Sequence, residues 1–491
     1  MLGDLSRLGV ITPERAAAFR ALVTKTKYSE RIPLPPETLN LTGMPEQFRV
    51  PLVSWALARD AHPAASLALL FQHLLPVPRG VVDRALGRDM RAWLTEAGIL
   101  HEDAGTVRAS LRMVVADDVF LWSDEATAGA EAVMTPGPTT ADLLNVLPAK
   151  LSGSFLDVGT GPGTLGLVAA RRGADRVVVT DISERAAALT RFNASFNDLR
   201  VDVRVGDLLA PVAGERFDWV VSQPPYVTHP LDEPGVTFLH GGEKGDELAF
   251  RFLGGLAEHL RRRGIAIVLF DSPVRQNAAL DQRIRAAVGA EPDISVFSQG
   301  GLGPDRQALG YASLADPTFG DRYAEAAVRY REHLLRQGIN EVTHSLVIAR
   351  AGDRDGYEGW TMSLGVARFP NEWDEVRAFL RGIDLAVAGE DALAAARVRP
   401  RDRAMVTIER APGAARDAEV RSIRFGAPSV ALDRELTQAG GVIFDLLAAE
   451  SSVASAIERF AAAMERPAAD VRPLVTSFVR DCLTRALLVP D

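Results

Sequence analysis

The sequence predicts an α/β chain built on a Rossmann-like sheet, with a helical, winged-helix-like module before it and an α+β, winged-helix-like module after it. Three observations predict this. Ser154 to Leu167 (SFLDVGTGPGTLGL) sets a short apolar strand before a glycine-rich turn and a small-residue helix. Successive apolar runs then end on acids, Asp157, Asp181 and Asp207. A fourth run, Phe217 to Val221, leads into Ser222-Gln223-Pro224-Pro225-Tyr226. Glycines allow positive φ and let the backbone approach a ligand with no Cβ in the way. The same turn also serves as a plain chain reversal or a dinucleotide phosphate site.

In chain order, residues 1–130 read as the first module. Thr12-Pro13-Glu14 opens a helix by the cap-then-proline rule. Ala16 to Lys25 continue it, and a proline-rich link, IPLPPETLNLTG, follows. Helices are expected over Val50–Asp60, Ala64–Leu75, Val81–Leu86 and Asp89–Ala97, then strands over Val107–Val115 and Val119–Ser123. Gly98 stops the last helix before a wing. Residues 131–352 hold the sheet. After the fourth strand come LHGGEKGDELAFRFL, the strand RRRGIAIVLF, the loop SVFSQGGLGPD, a helix over Arg322–Gln337 and a closing strand Ser345–Arg350. Tyr323 and Tyr330, seven apart on one helix face, read as packing residues; Tyr311 is a candidate pocket wall. Residues 353–491 form the last module: Thr361 to Phe369 alternates poorly, and from Val420 a strand pair precedes three amphipathic helices and a short strand.

The ordered signals at strand ends resemble the class I S-adenosylmethionine-dependent methyltransferases, a seven-stranded Rossmann-like fold. The resemblance implies that Asp157 and the turn Gly159, Thr160, Gly161 and Gly163 hold the methionine end of S-adenosyl-L-methionine. It places Asp181 on the ribose hydroxyls, Asp207 on the adenine amine, and Ile182 and Leu208 on the adenine faces. An aspartate after a strand is also often only a helix N-cap, and Asp181, followed by Ser183 and Glu184, allows that role. SQPPY resembles the Asn-Pro-Pro-Tyr turn of amino methyltransferases, and in particular the release-factor glutamine methyltransferase branch. There two prolines stiffen the turn, the amide and a proline carbonyl accept the nitrogen's protons, and the aromatic ring packs on the planar group. Gln223, Pro224, Pro225 and Tyr226 would carry these roles, with Gln223 also touching the cofactor. Pro136, Pro138 and Thr139 match that branch's proline-threonine segment, whereas Gly137 stands where the branch has arginine. Gln223 likewise replaces asparagine, and one extra methylene moves the amide by about a bond length, enough to matter for orientation.

The implied activity is methyl transfer to a planar nitrogen, amide or amine, of a protein, peptide or specialised metabolite. Two alternatives stay open: an exocyclic-amine methyltransferase acting on rRNA or DNA and guided by the winged helix, or a cofactor-binding protein with altered chemistry. The last module is also similar in pattern to winged-helix domains that bind leader peptides, and equally fits a helical cap. Composition constrains the choice. At 491 residues, 47% hydrophobic and 24% charged, the chain is an ordinary globular protein. A net charge of −9 makes nucleic acid a less favoured partner than a protein, peptide or small-molecule acceptor. Cys482 is the only cysteine, which excludes an intrachain disulfide, and eight histidines without HxxxH spacing predict no metal. No apolar run approaches a membrane span, so the chain is expected to be cytoplasmic, and a homodimer is allowed for.

Overall fold

β-Branched strands alternating with small-residue helices cannot bury both strand faces unless helices cover each side of the sheet. The computed structural model satisfies this. It describes residues 3–28, 46–125, 128–230, 236–276, 278–316, 319–354, 356–366, 368–409, 420–425, 431 and 433–491. The proline-rich link at 32–43 lies outside the described residues.

The first helix, α1 (Pro13–Lys25), is capped by Thr12, whose hydroxyl accepts the Arg15 N–H. It is followed by α2 (Glu46–Leu57), by α3 (Pro63–Leu67) running into a π-helical turn over Ala68–Gln72, and by β1 (Val77–Pro78), α4 (Arg79–Leu86) and α5 (Arg88–Glu96). Strands β2 (Leu100–Asp103) and β3 (Thr106–Ala109) join β1 in an antiparallel sheet of order β1-β3-β2. The single strand expected over Val107–Val115 is broken at Ser110, whose hydroxyl donates to the Gly98 carbonyl. After the break, β4 (Arg112–Ala116) and β5 (Val119–Ser123) pair as a separate hairpin. Phe19, Phe71 and Trp122 pack with Phe196, which belongs to the central domain.

The central domain runs α6 (Pro138–Asn145), β6 (Ser154–Val158), α7 (Thr164–Arg171), β7 (Arg176–Asp181), α8 (Glu184–Phe196), β8 (Asp202–Val205) and β9 (Phe217–Ser222). Short strands β10 (Val227–Thr228) and β11 (His240–Gly242), α9 (Glu247–Gly255), β12 (Leu260–Pro273), α10 (Leu280–Val288) and β13 (Asp293–Ser298) follow. A helical hairpin, α11 (Pro304–Ala315) and α12 (Asp321–Arg336), separates β13 from β14 (Val342–Arg350). The sheet order is β15-β13-β14-β12-β9-β6-β7-β8, parallel except where β14 meets β12 and β13. This is a Rossmann-like methyltransferase sheet with eight strands rather than the seven expected. The added β15 (Thr361–Gly365) pairs in parallel with β13 and lies beyond the expected boundary at Gly352. Alternate residues divide the core: Leu156 and Val158 face one side and Phe155 the other.

The remaining elements are α13 (Trp373–Val387), α14 (Glu390–Ala395), β16 (Val398–Pro400), β17 (Ala404–Glu409), β18 (Val420–Phe425), β19 (Arg434–Leu436), α15 (Gln438–Glu450), α16 (Val453–Ala463), α17 (Ala468–Thr484) and β20 (Leu488–Pro490). The expected strand pair is a three-stranded sheet, because β17 adds to β18 and β19. Helix α13 docks on the central sheet: Phe379 packs on Phe297 with tilted rings at 4.8 Å and Trp373 meets Trp219 at 5.3 Å. One apolar core therefore runs from the sheet into the C-terminal helices.

Candidate active site

The carboxyl ends of β6, β7 and β9 meet at one cavity of about 380 Å³. At its floor the chain turns through Gly159, Gly161 and Gly163 with φ of +74°, +56° and +92°, the left-handed region that favours glycine. The turn hangs from the end of β7. Gly159 and Thr160 donate to the Thr180 carbonyl at 2.8 and 3.0 Å, and Gly161 donates to Asp181 Oδ2 at 2.8 Å. Asp157 Oδ2 accepts from the Thr160 hydroxyl at 2.5 Å and from the Gly166 N–H at 3.0 Å. Burial pushes its carboxyl up to about 6, against the pull of those two donors.

Asp181 is not the cap of α8. Ser183 is, accepting from the Ala186 N–H, while Asp181 Oδ1 takes the Ser183 N–H at 2.9 Å. Burial raises its carboxyl although three backbone N–H groups pull it down. Ser183 donates to one Asp181 oxygen and Gly161 to the other. Ile182 is 58% exposed and forms an apolar wall of the cavity. Asp207 Oδ2 is paired with Arg251 at 2.5 Å.

Ten of the residues given cofactor or catalytic roles from sequence line this cavity: Asp157, Gly159, Thr160, Gly161, Asp181, Ile182, Asp207, Leu208, Gln223 and Pro225. Gly163, Pro224 and Tyr226 do not. Gly163 instead caps α7 under Thr190, where a Cβ would meet Thr190 Cγ2 at 2.9 Å. Reading the sequence did not assign Met134, Thr140, Thr164, Phe238 or His240 to the site, yet all line it. The proline-threonine run that starts α6 was the available signal for Thr140. Thr164 closes the glycine-rich turn itself and His240 opens the HGGEKG segment, whereas Phe238 comes from a segment with no signature of its own.

The cavity suits a ligand with an apolar planar part and polar ends. The Thr164 hydroxyl is buried with no partner among the described residues. Nothing lies within 4 Å of a Cβ built on Gly159. A pocket of this size is in the small-ligand range of roughly 300–1,000 Å³.

The proline turn is held from three sides. The Ser222 hydroxyl donates to the Val158 carbonyl at 2.8 Å, tying β9 to β6. Gln223 Nε2 donates to Thr139 Oγ1 at 2.5 Å, and its Oε1 accepts from Thr140 Oγ1 at 3.0 Å. Both ends of the amide are thereby anchored on the first turn of α6. Behind the turn, a Cβ on Gly241 would land on the Pro225 carbonyl, and one on Gly245 would land on that of Tyr226. The HGGEKG segment is glycine-rich because backbone passes backbone there. Burial raises the Tyr226 hydroxyl well above its usual range, and Asp271 adds to the rise, while Thr139 and Gln223 draw it down. His240 accepts the Val236 N–H at Nδ1, which leaves its Nε2 proton for the Tyr330 hydroxyl at 3.1 Å. Burial, then the stacked His229, lower its pKa to about 4, so this ring is neutral.

Tyr330 and Tyr311 pack edge to face at 5.4 Å in the core under the α11–α12 hairpin. Tyr330 is the packing residue that its helical spacing implied.

Residues 135–288 match the model of the methyltransferase small domain. A release factor glutamine methyltransferase of Cereibacter sphaeroides is 30% identical over 219 residues, covering 40% of this chain and 77% of that protein. A Methanocaldococcus jannaschii protein, provisionally named a protein N5-glutamine methyltransferase, is 30% identical over 28% of this chain and 73% of its own length. The release factor glutamine methyltransferase of Koribacter versatilis is 32% identical over 27% of this chain, and the chain spans 53% of it.

Proposed function

Because this chain belongs to the methyltransferase small family of class I S-adenosylmethionine-dependent methyltransferases, and S-adenosyl-L-methionine is its cofactor, we propose that it methylates a planar nitrogen, amide or amine, of a polypeptide. The glutamine acceptors named for its relatives support a protein or peptide acceptor. The observation that carries the reading is Gln223, held by Thr139 and Thr140 at the boundary between the cavity and the proline turn.

When bound, the cofactor supplies an electrophilic methyl group. The chain's own residues do the positioning. The glycine turn, Thr164 and Asp157 receive the methionine end, and Asp181 accepts from the ribose hydroxyls with the lone pairs its backbone donors leave free. Ile182 and Leu208 cover the adenine. Asp207, balanced by Arg251, faces its amine. Gln223 Oε1 keeps one lone pair for an acceptor N–H, and the stiff Pro224-Pro225 corner fixes its distance. Tyr226 stays a neutral phenol and packs on the planar group. Orientation is the principal catalytic device here.

The flanking modules we read as recognition elements. The first follows a winged-helix order, with α4 and α5 leading into the β1-β3-β2 sheet. Its arginines favour a protein over nucleic acid: Arg91 is tied to Asp83 and Glu102, and Arg88 lies 3.8 Å from Asp83. In the last module, three strands precede three helices, and the edge strand β17 exposes Met405 and Ile408, which suits β-augmentation by a peptide. No helix among the described residues is long and apolar enough to cross a membrane.

The test pairs calorimetry with transfer of tritium from methyl-labelled cofactor to peptides bearing glutamine, asparagine or lysine. Gln223→Ala should abolish transfer and leave cofactor affinity within a fewfold. Unchanged transfer would remove Gln223 from the mechanism.

A further inference from the structure

We propose that Asp271 and His344 form the proton-accepting end of the acceptor site, with His344 Nε2 taking the proton that the acceptor nitrogen loses on methylation. The inference rests on the reading above, that an N–H acceptor lies at the proline turn. Gln223 cannot serve as a base, being a neutral amide whose two ends already hold threonine hydroxyls. A planar nitrogen that gains a methyl group must nevertheless shed a proton. The nitrogen–carbon bond forms, the carbon–sulfur bond breaks with its electron pair left on sulfur, and one proton needs a base.

Topology brings such a base to the turn. In the parallel pair of β9 and β12, Ser222 stands opposite Val268. Strand β12 continues three residues further to Asp271, while the other chain becomes Gln223 to Tyr226. Antiparallel β14 sets His344 directly opposite Asp271. The two side chains meet at 2.5 Å between His344 Nδ1 and Asp271 Oδ1. A carboxylate on Nδ1 fixes the tautomer and turns Nε2 outward as the basic atom. Nε2 meets no hydrogen-bond partner among the described residues.

The surroundings are those of an acceptor pocket more than of a structural ion pair. The Tyr226 ring lies 6.3 Å from the His344 ring, edge to face, and Phe369 closes the other side at 5.1 Å. From α11, Gln307 Nε2 donates to Asp271 Oδ2 at 3.3 Å. One turn along that helix, the Tyr311 hydroxyl is buried beside Gln307 and lies within electrostatic reach of Asp271 and Tyr226. From α6, Asp142 interacts with the His344 charge. The charged groups facing His344 are thus Asp271 and Asp142. The Tyr311 hydroxyl, the carboxylate-held imidazole and the Tyr226 ring thus gather beside the proline turn, where the reading above has an acceptor amide or amine enter.

The test uses the intact protein labelled at histidine Cε1, its eight histidines resolved by NMR and His344 identified by its loss in His344→Asn. The titration midpoint of His344 is measured with bound S-adenosylhomocysteine, whose sulfur is neutral, and with sinefungin, which carries an ammonium at the methyl-bearing position. A positive charge on the order of 6 Å away should lower the midpoint by about one pH unit, a roughly tenfold loss of proton affinity. Equal midpoints would place His344 away from the reacting centre and overturn the proposal. If neither ligand binds, the cofactor reading falls first and this one with it. A second readout is catalytic, with the peptide that accepts tritium in the assay above. His344→Ala should lower kcat by about a hundredfold with KM and cofactor affinity unchanged, and added imidazole should restore part of the rate. An unchanged kcat, or a loss that imidazole does not relieve, counts against a base.

Discussion

Asn193 clasps the backbone of Trp122 from both sides: its Oδ1 accepts the Trp122 N–H at 2.9 Å and its Nδ2 donates to the Trp122 carbonyl at 2.9 Å. One turn on, Asn197 does the same to Phe120 at 2.8 and 2.7 Å. Two amides on α8 thus stand in for a neighbouring strand along β5 and satisfy a buried edge that would otherwise be left unpaired. Asn193 Nδ2 also donates to Pro162 at 2.8 Å, inside the glycine turn. Asn193→Ala should cost about 2–4 kcal/mol, since several buried backbone groups lose partners at once. Cofactor affinity should fall with it. Denaturant melts and calorimetry on the same variant measure both.

Gly159 and Gly166 are seven residues apart and should fail differently. A Cβ on Gly159 enters open cavity, whereas one on Gly166 lands on Val179 Cγ1. Gly159→Ala should therefore weaken cofactor binding at least tenfold while lowering stability by only about 1–2 kcal/mol, the strain of a positive φ. Gly166→Ala should destabilise the chain by about 1–3 kcal/mol, because α7 packs against β7 with no room to give. Unchanged cofactor affinity in Gly159→Ala would mean that Gly159 does not border the ligand.

The C-terminal helices share their core with the central sheet, so the last module should not behave as a detachable domain. Phe379 packs on Phe297 at 4.8 Å and is buried. Phe379→Ala should destabilise by about 3–5 kcal/mol, the usual range for a buried phenylalanine. A single unfolding transition, moved as a whole, is expected in calorimetry. Two separate transitions, with only one of them moved, would contradict the shared core.

What was legible in the sequence is what local backbone chemistry dictates. The turn at Gly159 and Gly161 can be read because positive φ restricts residue choice, and the proline turn because two prolines leave few conformations. Strand β15 was not legible: its five residues, TMSLG, are half exposed at a sheet edge, and their brief alternation is lost in the run that follows, VARF. The tether of Gln223 to Thr139 spans 84 residues, and the pairing of Asp271 with His344 spans 73. Both depend on strand register and helix docking, which no periodicity encodes. Asp181 shows a further limit, since two readings of a strand-end acid, N-cap or ligand holder, were separated only when Ser183 proved to be the cap.

Asp157 gives a pH signature. Burial lifts its carboxyl from the usual 3.8 to about 6 in the folded chain. A folded pKa above the unfolded one means that the protonated form favours the fold. This contribution is fully present below about pH 4 and is lost as the pH rises through about 6. The loss is on the order of 2–3 kcal/mol. Asp157→Asn should flatten the decline in melting temperature of the unliganded protein between about pH 4 and pH 6.5. An ammonium on the ligand would restore the carboxylate, so cofactor binding near pH 6 should release about half a proton. Calorimetry in buffers of different ionisation enthalpy counts it.

Replacing Gln223 by asparagine would restore the residue that the related proline turn carries, yet it should not improve this enzyme. The longer side chain reaches Thr139 and Thr140 together, at 2.5 and 3.0 Å. An amide drawn back by one methylene, about 1.5 Å, cannot keep both contacts on a turn that two prolines hold rigid. One threonine hydroxyl is then left without its partner, and the lone pair aimed at the acceptor moves with the amide. A displacement of about 1 Å at such a site costs on the order of a hundredfold in rate. Gln223→Asn should therefore lower kcat tenfold or more with cofactor affinity nearly unchanged. Adding Thr139→Ser, whose hydroxyl has more rotational freedom, should recover part of the loss. An asparagine variant as fast as the parent would show that the threonine anchors do not set the geometry of transfer.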